Sequence, residues 1–122
     1  MAQHNDLGKL GEEAAFLFLK TKGYKILWQN WRFEKYEIDI IAEDEGFLVF
    51  VEVKTRTSDQ WGNPHDAIGR NRIKRMVEAA DFYIREYDPD KPVRFDVIGA
   101  IWNGKDFEID HIDDAFLPPV NV

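Results

Sequence analysis

The sequence predicts a single α/β domain spanning residues 1–122, with two helices and five strands. Two pairs of β-branched and aromatic runs carry hairpin signals, the first at Glu45-Gly46 and the second at Asn103-Gly104. Apolar residues with helical periodicity precede the first pair and separate it from the second. A chain of 122 residues that is 44% hydrophobic can bury one core and has no room for a second.

Composition narrows the classes of protein to consider. The chain has no cysteine, which rules out disulfides and thiolate chemistry. It shows neither a secretory leader nor an apolar run of about 18 residues, so we expect a soluble cytoplasmic protein with no membrane partner. The net charge of −7 argues against a general nucleic-acid binder. However, residues 54–75 carry six basic side chains against two acidic ones, so one segment is positively charged.

The first helix is predicted from Asp6, a plausible N-cap, to Gly23, a plausible C′ residue. Glu12 falls inside its broad apolar arc, whereas Glu13 lies on the polar side. A carboxylate on an apolar surface is costly unless it is paired or binds a metal. The alternatives are that Glu12 reaches solvent from the edge of the arc or pairs with an Arg. Gly8 and Gly11 share a side that would permit a close approach.

A strand over residues 24–34 leads into the first hairpin, over residues 36–54. A two-residue turn at Glu45-Gly46 would place Asp39 opposite Glu52 and Glu37 opposite Lys54. These four side chains then share one face, because side chains alternate along a strand. The other face is apolar and comprises Ile38, Ile40, Val51 and Val53. A slip of one residue would remove this arrangement.

Two carboxylates on facing strands need a physical reason, since like charges placed opposite each other destabilise a sheet. A divalent cation such as Mg²⁺ supplies one, because it takes one or two carboxylates together with water and a substrate phosphate. Lys54 would reach toward the same place as Glu52. The alternative is a solvated strand face, with a Glu37–Lys54 ion pair and an Asp39 side chain that leans away.

The second helix is predicted over residues 67–87, with four basic residues in its first turns: Arg70, Arg72, Lys74 and Arg75. Cations there oppose the helix dipole, and a phosphate backbone would compensate them. The alternative is a solvated basic face. Among the aromatic residues, Trp28 and Trp31 are interpreted as packing residues. Trp61, in the loop before the helix, either anchors that loop or stacks on a nucleobase.

The remaining chain predicts two strands, 93–102 and 107–112, followed by an irregular tail from about residue 116. Asp96, in the first of these strands, is either an acid behind the site or a partner for Arg94. The histidines show no ligand spacing and are assigned no role; they are His4, His65 and His111.

Along the chain the sequence presents a helix acid, a strand acid and a Glu-x-Lys motif: Glu12, Asp39, Glu52 and Lys54. This order resembles the PD-(D/E)xK nuclease superfamily, which has the restriction-endonuclease-like fold, and within it the archaeal Holliday-junction resolvases. More closely, nearly the whole chain is similar to the YraN-like family of small, uncharacterised bacterial proteins. The matching segments are Gly8-x-x-Gly11-Glu12-x-x-Ala15, Glu37-Ile38-Asp39-Ile40-Ile41-Ala42, Phe50-Val51-Glu52-Val53-Lys54-Thr55-Arg56 and Arg94-Phe95-Asp96-Val97.

The resemblance implies a central mixed five-stranded sheet flanked by helices. It also implies Glu12, Asp39 and Glu52 around a Mg²⁺ or Mn²⁺ ion, with Lys54 beside the attacking water. The implied activity is metal-dependent hydrolysis of phosphodiester bonds in DNA, branched DNA included, by a homodimer. The residues expected to hold phosphates are Arg56, Arg70, Arg72 and Lys74. Those expected in an outer shell are Glu37 and Asp96.

Three residues depart from the family pattern. Ile38 occupies the position of the Pro in the superfamily name. Tyr36 stands where the family usually has Gly. Arg72 stands where the family commonly has Lys, and this change preserves phosphate binding.

Two functions remain open. One is a metal-dependent endonuclease; the other is a nucleic-acid-binding or scaffold protein that keeps the fold without turnover, which the acidic composition favours.

Overall fold

A mixed five-stranded sheet carries one helix on each face. The computed structural model describes residues 3–57 and 69–116. In chain order the elements are α1 (Gln3–Thr21), β1 (Lys25–Phe33), β2 (Tyr36–Asp44), β3 (Phe47–Thr57), α2 (Arg70–Tyr87), β4 (Val93–Trp102) and β5 (Phe107–Ile112). The strands lie in sequence order, with β3 and β4 parallel and the other neighbours antiparallel. The predicted α/β class and mixed sheet are confirmed, and they are consistent with the restriction-endonuclease-like fold.

Helix α1 begins before the predicted N-cap and ends where the sequence predicts. Its first residue is Gln3, so Asp6 lies inside the first turn, where a carboxylate stabilises the helix dipole. At the other end Gly23 adopts a φ of 98°. The N–H of Tyr24 donates to the carbonyl of Leu19, and that of Gly23 to Lys20, both at 3.0 Å. This pair of bonds is the Schellman arrangement, which requires a left-handed residue at C′.

The first hairpin has the predicted register. Its two turn residues, Glu45 and Gly46, both have positive φ (49° and 83°), as a two-residue type I′ turn requires. Asp44 pairs with Phe47, and the pairing continues to Ile40 opposite Val51.

Beyond Ile40 the regular pairing of β2 with β3 stops, so the predicted pairs of Asp39 with Glu52 and of Glu37 with Lys54 are not formed. The N–H of Val53 donates to the Asp39 carboxylate (2.8 Å to Oδ2), so a side chain takes the place of a backbone partner. On the β1 side, Asn30 lies between the pairs Gln29–Ile40 and Trp31–Ile38 and has a left-handed φ of 54°. The prediction that Ile38 and Ile40 share a face is wrong, because alternation is broken at Asp39. Ile38 packs on the α2 side of the sheet and Ile40 on the α1 side.

Two apolar clusters hold the helices to the sheet. Ala15 and Leu19 of α1 pack on one face, and a row of α2 residues packs on the other: Met76, Ala79, Ala80 and Tyr83. The predicted apolar arc of α1 is only partly used, since Leu10 and Leu17 are 53% and 55% exposed.

The two tryptophans of β1 differ in burial. Trp31 is buried at 7% exposure and packs in the α2 cluster, as expected of a packing residue. Trp28 is 41% exposed and rests against the ring of Tyr87, with 5.9 Å between the ring centroids.

Helix α1 approaches β3 closely at Gly11. A Cβ on residue 11 would lie 2.2 Å from Thr55 Oγ1, far inside van der Waals contact. At Gly8 the same addition would meet nothing within 4 Å. Gly11 therefore sets the distance between α1 and the sheet, and with it the position of Glu12.

Helix α2 begins at Arg70, after Gly69, and ends at Tyr87. The predicted start at Ala67 and the loop residue Trp61 lie outside the described residues. Strands β4 and β5 have the predicted bounds. After them Ala115 N–H donates to the carbonyl of Phe95 (2.7 Å). Residues 117–122 of the predicted tail are also outside the described range.

Neither helix in the described ranges is long and apolar enough to cross a membrane.

The close contact at Gly11 generates a paired prediction. Gly11→Ala is expected to lower the free energy of unfolding by about 1–3 kcal/mol, because overpacking forces α1 away from Thr55. Gly8→Ala is the matched control. It should raise the free energy of unfolding by up to about 1 kcal/mol, because Ala is the better helix former and the space there is open. Urea denaturation of both variants tests this; equal effects would contradict the close approach.

Candidate functional site

Two neighbouring pockets meet at Asp39. We call the first the basic pocket; it is lined by Lys35, Tyr36, Glu37, Asp39, Glu52, Arg72, Arg75 and Met76. We call the second the amide pocket; it is lined by Lys9, Glu12, Glu13, Phe16, Gln29, Asn30, Asp39 and Ile40. Asp39 belongs to both walls, so the break in β2 lies at the centre of the site.

The Asp39 carboxyl group is buried at 5% exposure and is held by the Val53 N–H. Burial, followed by the nearby Glu52 carboxylate, raises the pKa of Asp39 to about 8, and Glu12 and Glu37 act in the same direction. The hydrogen bond from Val53 opposes the rise without cancelling it. Without a compensating cation, burial and the neighbouring carboxylates therefore favour the protonated form of Asp39.

Glu52 is buried at 4% exposure beside Asp39, and Arg72 reaches it from the first turn of α2. Arg72 Nε donates to Glu52 Oε2 at 2.5 Å. Burial still raises the pKa of Glu52 above its ordinary value, although Arg72 and Lys54 oppose the rise. This ion pair compensates one of the cations that stand unfavourably at the helix N-terminus.

Glu12 faces the sheet, as its place in the apolar arc predicts, while Glu13 is exposed. Burial raises the pKa of Glu12, and the carboxylates of Glu37 and Glu52 add to the rise. Arg32 opposes it, but the ion pair of Arg32 is with Glu37 (2.7 Å), so Glu12 is not neutralised by an arginine.

Lys54 lies on β3 two residues after Glu52. Burial lowers its pKa, and the charges of Arg56 and Arg72 add to the effect against those of Glu52 and Asp39. The alternative Glu37–Lys54 ion pair is not formed, because Glu37 binds Arg32. Within residues 3–57 and 69–116, Lys54 has no hydrogen-bond or ion-pair partner. Its ammonium group is thus free for a substrate or water.

The carboxylates of the site can be compared with the ligand sets that divalent cations prefer. Among the described residues, no group of three or more His, Cys, Asp or Glu side chains is arranged to hold a metal ion. Asp39 and Glu52 line the same pocket, however, and Mg²⁺ commonly takes only one or two carboxylates. Burial raises the pKa of both groups, and neighbouring carboxylates add to the rise: Glu52 acts on Asp39, and Glu37 acts on both. This pair fits the ion, and Glu12 as a third ligand stays a prediction.

The residues predicted to hold phosphates are dispersed. Only Arg72 lines the basic pocket, whereas Arg70 and Lys74 are exposed elsewhere on α2. Arg56 Nη1 donates to the neighbouring Thr55 carbonyl (3.0 Å).

Sequence reasoning did not assign two cations of the basic pocket to the site. Arg75 Nη2 donates to the Lys35 carbonyl (3.3 Å), and both residues line the pocket. Arg75 stands three residues after Arg72 on a helix, a spacing that places both on one side and could have identified it. Lys35 has no such signal, because only the tertiary fold brings the β1–β2 turn to α2.

Asp96 lies in a separate buried network and lines neither pocket. It is fully buried, accepts hydrogen bonds from Arg94 Nε (2.9 Å) and Tyr24 Oη (2.9 Å), and lies 2.8 Å from His111 Nε2. Although burial acts to raise the pKa of Asp96, the bonds to His111 and Arg94 lower it to about 2. Of the two roles predicted for Asp96, the structure shows the second, an ion pair with Arg94. His111, which was assigned no role, joins β5 to this network.

Comparison with known proteins places these residues in a family. The model of the uncharacterised protein family UPF0102 matches residues 11–100, which include Glu12, Asp39, Glu52 and Lys54. The chain belongs to this family. The predicted resemblance to a family of small, uncharacterised bacterial proteins is therefore confirmed.

Members of the family are similar to this chain over nearly its whole length. A UPF0102 protein of Phocaeicola vulgatus is 45% identical over 120 residues, covering 98% of this chain and 99% of the relative. One of Bacteroides thetaiotaomicron is 48% identical over the same length and coverage. One of Flavobacterium psychrophilum is 49% identical over 116 residues, covering 95% and 98%.

The buried acid predicts an unusual pH dependence of stability. Because the pKa of Asp39 is raised to about 8, the folded protein holds a proton that the unfolded chain releases near pH 4. This contribution to stability is complete below about pH 4 and is lost progressively as the pH rises from there to about 8. In EDTA, the free energy of unfolding of Asp39→Asn should rise relative to that of the wild type from about pH 4 upwards and level off above about pH 8, a gain of several kcal/mol.

Urea denaturation at a series of pH values measures this difference. Asp110→Asn, at an exposed position of β5, is the control and should show no pH-dependent gain. A difference between Asp39→Asn and the wild type that stays constant with pH would show that Asp39 is ionised throughout.

Proposed function

We propose that the protein is a Mg²⁺- or Mn²⁺-dependent endonuclease that hydrolyses phosphodiester bonds in DNA, including branched DNA. The observation that carries the proposal is the buried Asp39–Glu52 pair, which faces a pocket lined by cationic side chains. A buried pair of like charges is destabilising by itself. Its presence beside Arg72, Arg75 and Lys35 is consistent with a site for a cation and a phosphate.

The basic pocket accepts the phosphate whose ester bond is cut. Guanidinium groups bind phosphate oxygens through paired hydrogen bonds, and Arg72 and Arg75 offer two of them. Arg70 and Lys74, exposed on the same helix, would contact neighbouring phosphates and set the register of the strand. This local basic surface compensates for the acidic net charge of the chain.

Asp39 and Glu52 would hold the ion, which when bound lowers the pKa of a water molecule and offsets charge on the scissile phosphate. Lys54 would contact the attacking water and the phosphate oxygens. Its unpartnered ammonium group, with a lowered pKa, can orient the attacking water and donate a hydrogen bond to the oxygens where negative charge develops.

Arg72 couples the binding of substrate to the binding of the cation. In the free protein it is bonded to Glu52, which would be a ligand. A phosphate in the basic pocket competes for the same guanidinium group and so releases Glu52. Because linkage is reciprocal, DNA should raise the affinity for the cation by the same factor as the cation raises the affinity for DNA.

Cleavage assays on linear, flapped and four-way-junction DNA test the activity. The wild type should cut with Mg²⁺ or Mn²⁺ and not with EDTA. Asp39→Asn, Glu52→Gln and Lys54→Ala should each reduce the rate by at least about 100-fold, the usual scale for removing a group that acts on charge developing in the transition state. The exposed-site variant Asp110→Asn is the control. Full activity in Glu52→Gln would contradict the mechanism.

The exchange of Arg72 is tested by calorimetry. Without DNA, Arg72→Ala should bind Mn²⁺ about tenfold more tightly than the wild type, because Glu52 is freed, while its affinity for DNA falls. Arg70→Ala is the matched control, since it removes a neighbouring cation that does not touch Glu52. It should weaken DNA binding and leave Mn²⁺ binding unchanged. Identical Mn²⁺ affinities in both variants would exclude the exchange.

A non-catalytic nucleic-acid-binding or scaffold protein is the second candidate. The observation that favours it is the Arg72–Glu52 ion pair, which already neutralises one acid without a metal. DNA binding without cleavage or uptake of Mn²⁺ would support this function. Symmetric cutting of a four-way junction requires two sites, so the nuclease proposal includes a homodimer, which sedimentation of the protein with junction DNA would test.

A further inference from the structure

We propose that the amide pocket receives the nucleobase next to the cleaved phosphate, so that the preferred substrate carries an unpaired nucleotide at that position. This inference rests on the proposed function and names the part of the DNA that the second pocket recognises. The two pockets lie on either side of Asp39. A strand with one phosphate in the basic pocket therefore has its adjoining nucleotide beside the amide pocket.

The charge of the amide pocket selects against a second phosphate. Three carboxyl groups line it, those of Glu12, Glu13 and Asp39, against the single ammonium group of Lys9. Glu12 and Glu13 oppose a second anion there, whereas the basic pocket offers a phosphate three cationic side chains, those of Lys35, Arg72 and Arg75. The volume of about 340 Å³ falls within the range of pockets that bind small molecules. These features favour an uncharged group as the occupant, and a nucleobase is small enough to enter.

The hydrogen-bonding groups of the amide pocket match the edge of a base. Gln29 and Asn30 follow one another on β1, and both side chains are exposed. Within residues 3–57 and 69–116, neither amide has a hydrogen-bond partner. Each amide offers a donor and an acceptor, as the edges of nucleobases do, and Asn and Gln are common readers of bases.

Phe16 adds an aromatic surface to the same pocket. Its ring is half-buried, and the Lys20 ammonium group lies 5.3 Å from the ring centroid. A base that stacks on an aromatic side chain gains about 1–3 kcal/mol. A base inside a duplex is paired and stacked, so only an unpaired or extruded base can enter such a pocket. Single-stranded flaps and ends supply unpaired bases.

Asn30 has a backbone conformation that is unusual for a strand residue. Its φ of 54° lies in the left-handed region, in the middle of a strand. Gly adopts this conformation without strain, whereas a residue with a side chain does so at a cost. Asn30 lines the pocket beside Asp39, and its amide has no partner among the described residues, so Asn30→Gly removes the amide while keeping the backbone geometry.

Fluorescence anisotropy with two probes tests the inference. The probes are a labelled short thymidine oligonucleotide and an abasic phosphodiester oligomer of equal length and charge, both in EDTA. The wild type should bind the thymidine probe about tenfold more tightly, corresponding to about 1.4 kcal/mol from the base. Asn30→Gly and Gln29→Ala should each reduce this ratio by about threefold or more.

Two controls isolate the base contribution. Asp88→Gly replaces another residue with positive φ (46°), at the C-terminus of α2, and should leave the ratio unchanged. Arg70→Ala should weaken both probes by the same factor, because it removes only a phosphate contact. Equal binding of both probes by the wild type, or an unchanged ratio in Asn30→Gly, would overturn the base pocket while leaving phosphate binding intact. Failure of the wild type to bind either probe would overturn the proposed function as well.

Discussion

The hydrogen bond from the Val53 N–H to the Asp39 carboxylate is the interaction on which the site depends. The pairing of β2 with β3 ends at Ile40, and at the next residue this bond holds the Asp39 side chain in the buried site. As a result one acid forms part of the wall of two pockets, with Glu52 on one side and Glu12 on the other. Gly11 completes the arrangement, because its missing side chain lets α1 carry Glu12 close to β3.

Asp39 and Asp96 show how differently the fold treats two buried acids. Asp96 is fully buried, yet its bonds to Tyr24, Arg94 and His111 satisfy its charge and lower its pKa to about 2. Asp39 has one backbone donor and three acidic neighbours, and its pKa rises to about 8. The first acid stabilises the fold, whereas the second is held in an unfavourable state. Unfavourable charge arrangements of this kind are typical of functional sites, where charge is arranged for a ligand rather than for stability.

Local patterns in the sequence predict much of the fold and part of the site. The two-residue turn at Glu45-Gly46 fixes the hairpin register, and β4 and β5 have the predicted bounds. Strict alternation fails at Ile38, because a side-chain hydrogen bond replaces a backbone one and no periodicity records that exchange. The environment of His111 was missed for a related reason. Its contact with Asp96 depends on the pairing of β5 with β4, which brings together residues that have no common local pattern.

The proposed function requires Asp39 and Glu52 to bind a divalent cation together. Isothermal titration of Mn²⁺ into the wild type and Asp39→Asn, at neutral pH and without DNA, tests it most directly, with Asp110→Asn as the control. Uptake of one ion by the wild type and by the control, lost in Asp39→Asn, is the predicted result. Equal uptake by all three proteins, or no uptake by the wild type at millimolar Mn²⁺, would contradict it.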